Sequence, residues 1–186
     1  MNKSYFSLGL MSGTSGDGVD ASIIKSDGEN QYEVIIDRYF EYNREIHEEI
    51  HYLKGKITNN SKILTKLSKE ISSLEEKITL FHADVVNKLL DETREVIDFI
   101  GFHGQTILHS PSDKISKQLG NGKLLSKLTK KKVVYDFRRN DLINGGQGAP
   151  LAPVFHMLLK NKYKLKLPLA ILNIGGIANM TSIDSN

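Results

Sequence analysis

Three glycines, two hydroxyls and two carboxylates fall within the eight residues Gly13-Thr14-Ser15-Gly16-Asp17-Gly18-Val19-Asp20, directly after the apolar run Tyr5 to Leu10. A second strand-like run, Val19 to Ile24, follows at once. The loop therefore joins strand to strand and does not feed a helix, which constrains the fold more than any other feature. No Gly-Lys-Ser/Thr follows, so a P-loop is excluded, and the absence of G-x-G-x-x-G excludes a Rossmann fingerprint. Glycines let the main chain turn tightly and approach a ligand with no Cβ in the way. Bare amides and hydroxyls hold phosphate oxygens, and a neighbouring Asp orients the hydrated Mg²⁺ that accompanies them. Gly13 to Asp20 is accordingly expected to bind ATP phosphates, with Asp17 or Asp20 reaching Mg²⁺ through water. The plainer alternative is a β-turn in which Gly16 or Gly18 only supplies a positive φ.

The remaining pattern reads as a mixed sheet covered by helices. Tyr32 to Tyr42 is a third strand, joined to the second by the turn-rich Ser26-Asp27-Gly28-Glu29-Asn30, so the first three strands form an antiparallel meander. From Ser61 to Arg94 there is neither Gly nor Pro. Within that stretch Ile63, Leu67, Ile71, Leu74, Ile78, Phe81, Val85 and Leu89 recur at helical spacing, giving an amphipathic helix or pair of helices. A coiled coil is the competing use of this stripe, but the flanking charges are irregular, and packing on a sheet is expected. A buried strand from Val96 to Phe102, a helix from Lys123 to Thr129, a strand from Lys132 to Tyr135 and a helix from about Leu151 to Lys160 complete an alternating order. Leu169 to Ile174, Gly175-Gly176 and Ile177 to Ile183 then repeat the opening device of strand, glycine turn and strand. The expected organisation is one domain over residues 1–166 and the first hairpin of a second, similar domain over 167–186, truncated at Asn186.

Composition narrows the function classes. With 39% hydrophobic and 25% charged residues the chain reads as an ordinary globular protein. Its net charge of +3 is too small to argue for nucleic acid. There is no Cys, which removes disulfides, thiolate zinc sites and cysteine nucleophiles together and fits a cytoplasmic setting. No signal peptide and no membrane span are expected. An exposed half-core would allow self-association into a homodimer.

Polar residues gather where strands give way to loops, which is where open sheets bind ligands. His103, Gln105 and Thr106 follow one strand, and Asp136, Arg138, Arg139 and Asp141 follow the next. Gly145-Gly146-Gln147-Gly148-Ala149-Pro150 comes after them, either as a turn and helix start or as a set of free amides facing an anion. His103 and His109 are read as acid/base groups or, more plainly, as loop supports. No helical pair of histidines is expected to hold zinc. Asp136 and Arg138 are read either as a local ion pair or as a recognition pair, since the guanidinium fork suits a carboxylate or phosphate.

Taken together, Ser12 to Asp20, His103-Gly104-Gln105-Thr106, Asp136-Phe137-Arg138, Gly145 to Leu151 and Asn173-Ile174-Gly175-Gly176-Ile177-Ala178-Asn179 resemble the anhydro-N-acetylmuramic acid kinases. The motifs stand in the family's order and run through nearly the whole chain. The resemblance implies an α/β fold of actin-like (ribonuclease H-like) ATPase type, with two related domains closing on a cleft. It implies a peptidoglycan-recycling reaction in which 1,6-anhydro-N-acetylmuramic acid, ATP and water give N-acetylmuramic acid 6-phosphate and ADP. By the same resemblance Gly13, Thr14, Ser15, Gly16, Asp17, Gly18, Val19 and Asp20 contact ATP, while His103, Gln105, Asp136, Arg138 and Gln147 contact the sugar. The family's catalytic Asp, in an Asp-Thr-Gly-Pro-Gly-Asn segment, would lie past Asn186, so the catalytic residue is not named here. Two alternatives stay open: a catalytically incomplete nucleotide- or sugar-binding or assembly module, and an actin-like ATPase of chaperone or cytoskeletal type.

Overall fold

In the computed structural model, which describes residues 3–57, 61–174 and 178–185, the hydrophobic alternation of the first two strands determines which face of the sheet is covered. Leu8, Leu10 and Ser12 of β1 (Tyr5–Ser12) are buried, and so are Val19, Ala21 and Ile23 of β2 (Gly18–Ser26). Successive side chains of a strand point to opposite faces, so this period of two assigns one face of each to the core. β3 (Tyr32–Glu41) pairs antiparallel with β2, completing the expected meander.

β4 (Phe99–Ser110) lies parallel to β1 on its other side. It begins later and runs much further than the expected Val96 to Phe102. The extension has a physical cause: along residues 105–110 β4 acquires an antiparallel partner, β5 (Ile115–Leu119), which the sequence reading did not anticipate. β6 (Val133–Tyr135) pairs parallel with residues 100–102 of the same edge. The order β3-β2-β1-β4 is therefore continued by β6 beside the first half of β4 and β5 beside the second.

Helices cover this sheet. α1 (Arg44–Lys56) was not foreseen; Asn43 caps it by accepting from Ile46 N at 2.9 Å, and Ile46, Ile50 and Leu53 are its buried stripe. The Gly- and Pro-free stretch forms a pair, α2 (Ser61–Lys66) and α3 (Ser68–Glu92). Ile71, Leu74, Ile78, Val85 and Leu89 of α3 are buried against the sheet and its neighbours, so the stripe serves a globular core and not a coiled coil. α4 (Gly122–Thr129) packs on α3 and β6. After the short α5 (Arg139–Ile143), α6 (Leu151–Tyr163) leads to a separate two-stranded sheet of β7 (Leu169–Asn173) and β8 (Asn179–Ile183). The glycine turn expected between those strands lies outside the described residues. The mixed sheet, antiparallel meander and covering helices agree with the actin-like ATPase domain that the resemblance implies. No described helix is long and apolar enough to cross a membrane.

Candidate functional site

The turn between β1 and β2 is tied to the structure from three directions. Gly16 N donates to Gly13 O at 3.2 Å to close it, and Tyr42 N donates to Asp17 O at 2.9 Å. Lys54 Nζ of α1 donates to Thr14 O. Two of its glycines are required by packing. A Cβ on Gly18 would lie 2.4 Å from Phe40 O, and one on Gly16, at φ +78°, would lie 2.9 Å from Ile50 Cγ2. Gly13 differs, since the nearest atom to its Cβ position is Ser15 Oγ at 3.4 Å. Thr14, Ser15, Asp17 and Asp20 are exposed, while Val19 is buried in the core. One side of the turn thus rests on α1, and the other presents two hydroxyls and a carboxylate to solvent.

Beneath the turn, Ser12 belongs to a buried chain of hydrogen bonds. His82 Nδ1 donates to Ile78 O at 2.7 Å, so Nε2 accepts from Ser12 Oγ at 3.2 Å, and Ser12 Oγ in turn accepts from Tyr42 OH at 2.9 Å. Burial pushes the His82 imidazole down to about 4 and holds it neutral. The same burial raises the Tyr42 phenol.

His103, Gln105 and Thr106 lie inside β4 and not beyond its end, a correction that follows from the β5 pairing. Gln105 faces the turn: Nε2 donates to Gly13 O at 2.9 Å. Its Oε1 is buried with no hydrogen-bond partner among the described residues. His103 Nδ1 donates to Gly104 O at 2.6 Å, leaving Nε2 to accept from Arg138 Nε at 3.0 Å and Nη2 at 2.8 Å. Burial and the adjacent Arg138 charge lower the His103 pKa, so the ring is a neutral acceptor there. Arg138 Nη1 donates to Gly148 O at 2.7 Å, and the guanidinium therefore clamps β4 to the glycine-rich loop.

Two readings of this region are corrected. Asp136 pairs with Arg139 at 2.5 Å and not with Arg138. The glycine-rich loop is not a set of free amides: Asp141 Oδ2 accepts from Gly148 N at 2.7 Å, and Asp141 O accepts from Gly146 N at 2.8 Å. The loop is a turn closed by Asp141. Gln147 is exposed. His103, Asp136, Phe102, Gln118 and Tyr135 line a cleft of about 140 Å³. Small-molecule pockets run to roughly 300–1,000 Å³, so this cleft is smaller than an ordinary ligand pocket.

A pair that the sequence reading passed over stands beside the turn. His47 and His51 are four apart on α1, with Nε2 atoms 3.1 Å from each other, and His47 Nε2 is 3.6 Å from Asp17 Oδ1. The signal was the spacing His-x₃-His, invisible as a helix face while α1 itself was unrecognised.

Comparison with known proteins gives one consistent result. The family model described as anhydro-N-acetylmuramic acid kinase matches residues 5–186. A Pelagibacter ubique (strain HTCC1062) protein named anhydro-N-acetylmuramic acid kinase is 57% identical over 185 residues, covering 100% of this chain and 49% of that protein. Proteins of the same name from Agrobacterium fabrum (strain C58 / ATCC 33970) and Rhodopseudomonas palustris (strain BisB18) are 40% and 37% identical, covering 95% and 96% of this chain and 48% and 50% of theirs. The chain spans about half the length of the curated relatives it matches.

Proposed function

The chain belongs to the anhydro-N-acetylmuramic acid kinase family, and from that membership we propose that it forms the phosphate-binding and sugar-facing part of an ATP-dependent sugar kinase. The reaction is conversion of 1,6-anhydro-N-acetylmuramic acid, ATP and water to N-acetylmuramic acid 6-phosphate and ADP, a step of cytoplasmic peptidoglycan recycling. Residues 1–166 make up the first actin-like domain, and 167–186 open the second.

One observation carries this reading: the Gln105 Nε2 bond to Gly13 O at 2.9 Å. It joins the β1–β2 turn directly to the strand that also carries His103 and, through it, Arg138. Two motifs separated by some ninety residues in sequence thereby become neighbours. The residues fit a polyphosphate, because Gly13 leaves its main chain unobstructed and Thr14 and Ser15 are exposed beside it. Those three would hold the phosphates, with Asp17 or Asp20 reaching a hydrated Mg²⁺; the bound Mg²⁺ neutralises phosphate charge. Gln105 Oε1 is a buried acceptor without a partner among the described residues, at the seam between the turn and β4. Arg138, preorganised by His103 and Gly148, is suited to a carboxylate such as the lactyl group.

Because the chain spans about half of its relatives, a second reading is a nucleotide- and sugar-binding module without turnover of its own. Titration of the chain with MgATP, together with an ADP-release assay, tests both. Saturable binding weakened at least ~10-fold by Gly13→Ala, with ADP release that requires the anhydro sugar, supports the kinase reading for this chain. The same binding without ADP release gives the module, and no saturable binding overturns both.

A further inference from the structure

Asp17, His47 and His51 place one ligand atom each within 4.8 Å of one another, on two elements pinned together. We propose that they form a site for a borderline divalent transition-metal ion of the Zn²⁺, Co²⁺ or Ni²⁺ class, which leaves Asp20 as the carboxylate for the Mg²⁺ of the nucleotide.

Two ligands on a tetrahedral ion with bonds of about 2.0–2.1 Å are separated by roughly 3.3 Å. His47 Nε2 and His51 Nε2 stand at 3.1 Å, and His47 Nε2 and Asp17 Oδ1 at 3.6 Å, on either side of that edge length. All three atoms bear lone pairs, so the cluster is cohesive only when a proton or a cation is shared among them. Histidines at i and i+4 lie one above the other on a helix, and both here present Nε2 toward the same point.

The backbone holds this arrangement in place. Asn43 caps α1 and its carbonyl accepts from His47 N at 3.1 Å, while the preceding residue, Tyr42, bonds Asp17 O at 2.9 Å. One turn after His51, Lys54 reaches back to Thr14 O. The carboxylate and the imidazoles are thus carried on segments joined at both ends, as an ordered metal site requires. Two imidazoles and one carboxylate suit Zn²⁺, Co²⁺ or Ni²⁺, whereas Mg²⁺ selects oxygen ligands. Three protein ligands leave a position for water. Glu48, which follows His47 as the base follows the first histidine in zinc proteases, is instead held by Arg44 at 2.7 Å. The assignment is therefore binding and not hydrolysis.

The test is titration of the 186-residue chain with Co²⁺ in the absence of nucleotide, followed through the visible d–d band of the bound ion. The expected result is one equivalent bound, displaced by Zn²⁺ and not by excess Mg²⁺, with affinity at least ~10-fold lower in His47→Ala and in His51→Ala. Histidine-ring NMR of the unaltered chain keeps the proposal falsifiable without variants: adding Zn²⁺ should perturb His47 and His51 and leave His82 and His156 in place. Binding that is unchanged in both variants, displacement by Mg²⁺, or ring shifts confined to other histidines would overturn it. Since no nucleotide is present, these outcomes are independent of the kinase reading.

Discussion

Gly13, Gly16 and Gly18 look alike in the sequence and differ in the fold. Gly18 is there because Phe40 O and the Tyr39 ring occupy the space of a Cβ, and Gly16 because Ile50 does. Gly18→Ala should therefore destabilise the chain by about 1–3 kcal/mol through overpacking. Gly13→Ala should leave stability within about 0.5 kcal/mol of the parent, and urea denaturation of the two variants checks the contrast. Equal losses would mean that Gly13 is also a packing glycine, removing the reason to assign it to a ligand. The motif was legible from sequence as a glycine turn, but its division of labour was not, because the atoms that exclude a Cβ come from β3 and α1. The same limit applied to Arg138. Its fork was read as either an ion-pair partner of Asp136 or a recognition group, while its partners, His103 and Gly148 O, are brought to it by strand pairing and by the loop that Asp141 closes.

Among the elements, α3 was readable because six apolar residues from Ile71 to Leu89, at steps of three and four, leave little room for another conformation. α1 carries the same kind of stripe in Ile46, Ile50 and Leu53, shorter and diluted by charge. β5, Ile115-Ser116-Lys117-Gln118-Leu119, has polar residues at its centre and exists through pairing with β4, which no local pattern announces. How β1 and α3 are joined has a pH consequence. His82 on α3 is neutral and buried against Ser12 and Tyr42, with the rings of Phe81 and Phe102 nearby. Its folded pKa of about 4 lies below the ordinary value of 6.5. The stability it protects is fully present above the unfolded value and is lost as pH falls from there toward the folded one, by about 3 kcal/mol in total. His103, also lowered, acts in the same direction. Denaturant unfolding at about pH 7 and about pH 5 should show a marked drop, shallower in His82→Gln; stability that stays flat across this interval would contradict the buried neutral ring.

For the molecule as a whole, the order of strands and helices was enough to give the mixed sheet and its meander, since short turn-rich joins dictate antiparallel neighbours and a long helical crossover dictates the parallel β1–β4 pair. Sequence order could not supply the convergence of distant motifs, which depends on β4 lying beside β1 in the register that sets Ser12 opposite Gln105. That register is the basis of the proposed function: the turn proposed to hold phosphate and the strand proposed to face the sugar meet because β1 and β4 are neighbours. The most direct test is backbone amide NMR of the chain on addition of MgATP. The account predicts shifts concentrated at Gly13 to Asp20 and extending to Gln105, with the far turn at Asp27 to Asn30 unmoved. Shifts that avoid the β1–β2 turn, or that leave Gln105 unaffected while the turn responds, would contradict it.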